Sequence, residues 1–284
     1  MQTLRETIEE FKNSNRGIGH FNISDSNQLH AVVGAARETS LPVIVGLSEG
    51  ERDFFPLREV RQLIDLYQSE GVRVYLNADH TYTVECAQAA IADGVDSVVI
   101  DGAKLAFEEN VHLLTTSVKY ARASGRDVLM EGELGYIGTS SNVMDALPEG
   151  AAITEEMMTK PDELLTLIQN SGIDLAAPAV GNIHGIITSG QPKLSIVRIA
   201  QLAGIAGVPL VLHGGSGSPD DEFTAAIKAG MTIVHINTDI RVIYRDELKK
   251  AIEEGKEVAP YKFIGSSVKA TQAYVAQKMR LFAQ

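Results

Sequence analysis

The chain has 284 residues, 44% hydrophobic and 22% charged, enough to bury a sizeable core in one large domain and unlike a disordered, collagenous or disulfide-framework protein. A net charge of −12, from 25 Lys+Arg against 37 Asp+Glu, argues against a nucleic-acid or anionic-membrane partner, though backbone amides could still hold a small phosphate. The lone cysteine, Cys86, excludes an intrachain disulfide and fits a reducing, cytoplasmic setting; no apolar run reaches the ~20 residues of a membrane span, and MQTLRETIEEF lacks a signal-peptide core.

Short runs of Val, Ile and Leu alternate with longer stretches at helical spacing. The runs predict strands over Gly17–Phe21, Pro42–Leu47, Val72–Leu76, Ser97–Ile100, Asp127–Met130, Leu175–Val180, Pro209–Leu212 and Thr232–Ile236. Each is brief and nearly unbroken in apolar character, as a parallel strand covered on both faces should be. Between the first two, Leu29, Val32, Val33 and Ala36 form a helical stripe behind the capping candidates Ser24 and Asp25. Pro56 opens the next helix, whose stripe is Val60, Leu63, Ile64 and Tyr67. The polar stretch GTSSNVMDALPEGA, from Gly138, predicts a mobile surface loop, and Ser266–Phe282 predicts an extra helix at the end. Eight strand and helix pairs match a (β/α)₈ TIM barrel over a single domain, 1–284, with an additional C-terminal helix; an open doubly wound sheet is the competing architecture.

In such a barrel the strand ends all face one mouth, so the residues there carry the chemistry. Asn22, Ser48, Asp79 and His80, Asp101, Glu131 and Glu133, His184, His213 and then His235 with Asn237 stand at successive ends. His80, His184 and His213 come from three different ends, as imidazole ligands of one Zn²⁺ require; separate surface histidines are the alternative. Asp101 and Glu133 are candidates for a second divalent or monovalent cation position, for orienting the first ligands, or for bonding barrel-mouth amides. Asp79 can serve as acid and base, or cap the next helix, although Thr81 and Thr83 are better placed for that. HGGSGSP, from His213, offers backbone N–H groups to a phosphate; Arg241 and Ser267 are weaker anion candidates, more at home on solvated helix surface. Cys86 falls on an apolar helix face and is expected in the core. None of the candidate strands contains a lysine, which leaves no obvious Schiff-base nucleophile in the barrel wall.

The chain also resembles the class II, metal-dependent ketose-bisphosphate aldolases. The resemblance spans about Leu4 to Leu281 and rests on FN at Phe21, LNADH ending at His80, IDGAKLAFEEN from Ile100, EGELGYIG from Glu131, GNIHG around His184, PKLS from Pro192, HGGSGSP and NTDIR from Asn237. It implies a zinc lyase acting on a fructose- or tagatose-1,6-bisphosphate-like ketose and yielding dihydroxyacetone phosphate, assembled as a homodimer or homotetramer. It implies His80, His184 and His213 as ligands, Asp101 and Glu133 at a second metal position, and Asp79 as proton donor and acceptor. Asn22, Ser48, Gly185, Gly214, Gly215, Ser216, His235, Asn237 and Thr238 correspond to substrate-binding positions. The chain departs from the family pattern at Ser141 and Asn142, where loop acids are usual, with Asp145 and Glu149 as nearby substitutes. It departs too at His235 for asparagine, Asn237 for aspartate, Gly46 for glutamine and Tyr261 for arginine. A sugar-phosphate-binding homologue without efficient catalysis and a metal-dependent barrel hydrolase are the other readings.

Overall fold

The computed structural model describes residues 2–139 and 141–284. It contains ten strands: β1 (Ile18–Asn22), β2 (Val43–Leu47), β3 (Val74–Thr81), β4 (Ser97–Ile100), β5 (Leu129–Leu134), β6 (Val143–Met144), β7 (Leu175–Pro178), β8 (Ile186–Ile187), β9 (Leu210–Leu212) and β10 (Met231–Ile236). Eight of them close a parallel barrel in the order β1-β10-β9-β7-β5-β4-β3-β2, with helices between; β6 and β8 pair separately. The fold is therefore a (β/α)₈ TIM barrel followed by the helix Gly265–Phe282, and the open sheet is excluded by the β1–β10 pairing. Among the described residues no helix is long and apolar enough to cross a membrane.

Two sets of side chains leave each strand, one facing the helices and one the barrel axis. The outward set, including Phe21, Val45, Leu76, Val98, Met130, Leu212 and Val234, joins the helices in the larger core. Inward, Ile18, Ile44, Tyr75, Leu129, Leu175, Val211 and Ile233 form an apolar floor with Leu4, Ile8 and Phe11 of the helix Leu4–Asn13. That helix plugs the N-terminal end of the barrel; Thr3 closes a capping box with Glu6, and Thr7 Oγ1 lies 2.6 Å from Tyr75 Oη. Each of its three apolar anchors contributes about 1.5–3 kcal/mol by burial.

Two residues further along seven of the strand paths, the inward positions become His20, Gly46, Asn77, Glu131, Ala177, His213 and His235, and beyond several of these stand Asn22, Ser48, Asp79, Glu133 and Asn237. The barrel interior thus changes from hydrocarbon to polar chemistry within one side-chain layer. This explains where the expected strands fall short. β3 continues through Asp79 and His80, and β5 through Glu131 and Glu133, although polar residues interrupt the apolar runs on which strand recognition relies.

The C-terminal helix packs on Ser26–Thr39 and Thr238–Glu254 and reaches back to the first strand, where Gly17 N–H donates to the Phe282 carbonyl at 2.7 Å. The segment expected to be a mobile loop carries β6, which pairs in parallel with β8 through Val143–Ile186 and Met144–Ile187. Of its GTSSN stretch, Ser140 lies outside the described residues. Cys86 is half-buried rather than in the core, and Ser267 is fully buried rather than on solvated surface.

Candidate metal centre and active site

His80 at the end of β3, Glu133 on β5, His184 in the loop after β7 and His213 just past β9 converge at the mouth. One ligand atom from each lies within 4.8 Å of all the others. The three imidazoles meet nearly edge to face, with centroids 4.7 Å (His80–His184), 5.1 Å (His80–His213) and 5.8 Å (His184–His213) apart. Glu133 Oε2, His184 Nε2 and His213 Nδ1 are buried there without hydrogen-bond partners. Leaving one such group unpaired costs about 1–3 kcal/mol, so three together describe a site that fits a cation. Imidazoles with one carboxylate suit a borderline divalent ion.

Surrounding carboxylates hold the donors in place. Glu131 Oε1 lies 2.7 Å from His213 Nε2, which keeps a proton on that nitrogen and leaves the Nδ1 lone pair free. Asp101 Oδ2 lies 3.0 Å from His80 Nδ1, so Asp101 bonds a candidate ligand and is not one of the four converging donors. His80 itself sits at φ 39°, in the left-handed region, and Arg52 Nη2 donates to the carbonyls of Asp79 (3.3 Å) and His80 (3.4 Å) at this turn. After His213, Gly214 adopts φ +63°, and a Cβ there would stand 2.3 Å from the Ile183 carbonyl oxygen beside the His184 loop.

Burial pulls the His80 imidazole down, but the charges of Asp79, Asp101 and Glu133 outweigh it and push it up to about 10. Burial, reinforced by the Asp101 charge, raises Glu133 to about 8. Burial and the neighbouring His80 and His213 hold His184 well below its ordinary range. Without a cation these groups compete for protons; a cation satisfies all of them at once.

Asp79 is 3% exposed, and Asn22 Nδ2 donates to its Oδ2 at 2.8 Å. Burial alone would raise this carboxyl, yet His80, His235 and His20 bring it well below the usual carboxylate range, which favours the carboxylate form. The pocket beside it is lined by His80, His184, His235 and Asn22. Ser141, Gly185, Gly214, Ser216, Asn237 and Thr238 line it as well. Ser216 Oγ accepts from the N–H groups of Asn237 and Asp239, both at 3.2 Å, and so fixes the start of the helix Thr238–Glu254 against the glycine turn. Gly215 N–H donates to the His235 carbonyl at 3.0 Å, so this residue shapes the turn with its amide already bonded. Ser48 lines the outer mouth beside Glu49 and Arg241; its N–H donates to Glu51 Oε2 at 2.8 Å. Asp145 and Glu149 are exposed, and Thr188 Oγ1 donates to Asp145 at 3.2 Å.

Several residues in the site carry no sequence expectation. Glu51, 6% exposed, accepts from Asn22 at 3.0 Å and pairs with Arg241 at 2.5 Å. His20, 1% exposed, stacks on His235 with centroids 3.5 Å apart and planes 4° from parallel. The missed signal is the period-two recurrence of polar residues, His20/Asn22 and Asn77/Asp79, inside otherwise apolar strands. His20, Asp79 and His235 also bring ligand atoms within 4.8 Å of one another. The two parallel rings, however, aim their in-plane lone pairs side by side and not at a common point, which does not suit a cation.

The family model described as fructose-bisphosphate aldolase class-II matches residues 2–284. The chain is similar to the fructose-bisphosphate aldolase of Geobacillus stearothermophilus, 33% identical over 285 residues, covering 99% of this chain and 96% of that one. It is 31% identical over 287 residues to the fructose-bisphosphate aldolase of Staphylococcus epidermidis, with the same coverage of 99% and 96%. Among solved structures, the YdjI aldolase from Escherichia coli K12 superposes with a TM-score of 0.83 at 26% identity, covering 98% of this chain and 96% of that chain.

Proposed function

Because the chain belongs to the class II fructose-bisphosphate aldolase family, we propose that it reversibly cleaves a fructose- or tagatose-1,6-bisphosphate-like ketose to dihydroxyacetone phosphate and an aldehyde, with zinc held by His80, Glu133, His184 and His213. The observation that carries this reading is the convergence of those four donors beside the buried Asp79. When bound, the metal polarises the ketose carbonyl and offsets the negative charge that gathers on its oxygen.

Asp79 takes the proton of the hydroxyl whose carbon becomes the aldehyde, and the C–C bond electrons move toward the ketone. Asn22 holds the far oxygen of Asp79, leaving Oδ1 for the substrate. Asp101 and Glu131 orient His80 and His213. Gly185, Gly214, Ser216 and Thr238 border the pocket where the phosphate of the dihydroxyacetone half is read, so that its binding energy aligns the reacting bond. Gly215 and Asn237 build that cradle, while Ser48 and His235 line the substrate cavity. One barrel domain over 1–284 carries the whole site, in a cytoplasmic assembly of two or four copies whose size light scattering would measure.

The test is release of dihydroxyacetone phosphate from fructose and tagatose 1,6-bisphosphates before and after chelation. Activity that disappears with chelation and returns with zinc supports the reading. Cleavage indifferent to metal removal, or inorganic phosphate without a new carbonyl product, refutes it.

A further inference from the structure

We propose that His20 is a positioning residue of this enzyme: its imidazole, seated in the space left by Gly46, fixes the ring plane of His235 beside Asp79. The inference rests on the active-site reading above and concerns a residue that does not itself line the pocket.

Register is the origin of the arrangement. His20 and His235 are Cα partners across the parallel β1–β10 pair, which puts their side chains at one level on adjacent strands. Their rings stack at 3.5 Å and 4°, and His213 covers the opposite face of His235 at 4.0 Å and 23°. His235 is therefore sandwiched between two flat neighbours. One of these is oriented by the Glu131 carboxylate, leaving His20 to define the other face.

Two further contacts make His20 a fixed wall. A Cβ added at Gly46 would lie 2.2 Å from its Cε1 and 2.3 Å from its Nε2, so the ring and any side chain at position 46 exclude each other. Within its plane, the ring is pinned at one edge. Asn77 Nδ2 donates to Ser97 Oγ at 2.7 Å, which leaves Asn77 Oδ1 as the acceptor 3.0 Å from His20 Nε2 and places the proton on that nitrogen. An aliphatic side chain could fill the same volume without leaving a nitrogen such as His20 Nδ1 buried and unpartnered. The flat face of the ring is what an aliphatic substitute would not reproduce.

The result is delivered at Asp79. His235 Nδ1 lies 3.6 Å from Asp79 Oδ1, the oxygen that Asn22 does not hold, and both residues border the pocket. With His20 removed, His235 gains room to tilt into the vacated space, and the group beside the proton-accepting oxygen leaves its alignment.

The zinc-loaded enzyme is compared with His20→Phe, which keeps a flat ring, His20→Leu, which fills space without one, and His20→Ala. Gly46→Ala, which forces the native ring aside, is included as an independent route to the same disturbance. Expected for the Leu, Ala and Gly46 variants is a roughly ten- to hundredfold loss in kcat for fructose 1,6-bisphosphate cleavage, with KM little changed, the scale of a misaligned reacting group. His20→Phe should retain most of the native kcat, and zinc stoichiometry should stay constant throughout. Crystal structures of the Leu and Phe variants provide a readout independent of the substrate assigned: a tilted His235 in the first and a native one in the second. Equal kcat in the Leu and Phe variants, losses that follow zinc release or loss of folded protein, or a His235 plane unmoved in the Leu variant would each overturn the proposal. A native enzyme that ignores fructose 1,6-bisphosphate refutes the substrate reading instead, and the two crystal structures still decide the role of His20.

Discussion

In the proposed mechanism, removing the Asp79 carboxyl would separate proton transfer from metal binding. Asp79 is outside the four-donor set, so Asp79→Ala is expected to cost about 10²–10⁴ in kcat while zinc stays bound at full stoichiometry. Metal analysis alongside retro-aldol kinetics checks this, and loss of zinc would reassign the carboxylate to structure. Glu131→Gln keeps the shape but removes the charge that fixes His213, 2.7 Å away. Its expected cost is about 10–100-fold in zinc affinity, read by competition with a chromogenic chelator. The histidines and carboxylates at strand ends were legible in the sequence because their residue types are those of metal sites and a parallel barrel gathers strand ends at one mouth. His20 and Asn77 were not, because they sit inside strands, where a polar residue reads as an interruption. Glu51 was hidden differently: it looks like an ordinary helix-start acid, and only tertiary folding turns it toward Asn22 and Arg241.

Among the elements, the C-terminal helix shows how a segment outside the eight repeats supports the barrel. Phe282 is fully buried, its ring 5.2 Å from Phe223, and its carbonyl receives the Gly17 N–H at the entrance to β1. Phe282→Ala should destabilise the fold by about 3–5 kcal/mol, the range for emptying an aromatic core site, with kcat per folded molecule unchanged. Urea unfolding combined with activity of the folded fraction is the measurement; a milder loss would mean that the helix end collapses into the space. The alternation of strands and helices was readable because buried parallel strands are almost purely apolar, and Ser97–Ile100 coincides with its expectation for that reason. The plug Leu4–Asn13 lay outside the repeat pattern, and the two-residue strands β6 and β8 are too short to have a periodicity at all.

For the molecule as a whole, the metal centre should reverse the response of stability to pH. In the metal-free protein His80 rises from 6.5 to about 10 and Glu133 from 4.5 to about 8. A group whose pKa is raised by folding stabilises the fold in its protonated form. The His80 contribution is therefore complete below pH 6.5 and lost as pH climbs through about 10, while that of Glu133 is complete below 4.5 and lost through about 8. Zinc at the proposed site would take the place of those protons, so its binding should release protons and tighten as pH rises. Thermal midpoints from about pH 6 to about pH 9 should fall for the chelated protein and hold or rise for the zinc-loaded one; parallel slopes would exclude this coupling.

The short pairing of β6 with β8 connects the rim of the mouth to its centre. β8 begins at Ile186, two residues after His184, and the N–H of Ile186 is bonded to the Asn142 carbonyl. Residues 142–144 and the candidate ligand His184 are therefore joined through a few backbone atoms. If the proposed chemistry holds, a displacement of that segment on sugar entry would be passed by this route to one of the metal's imidazoles.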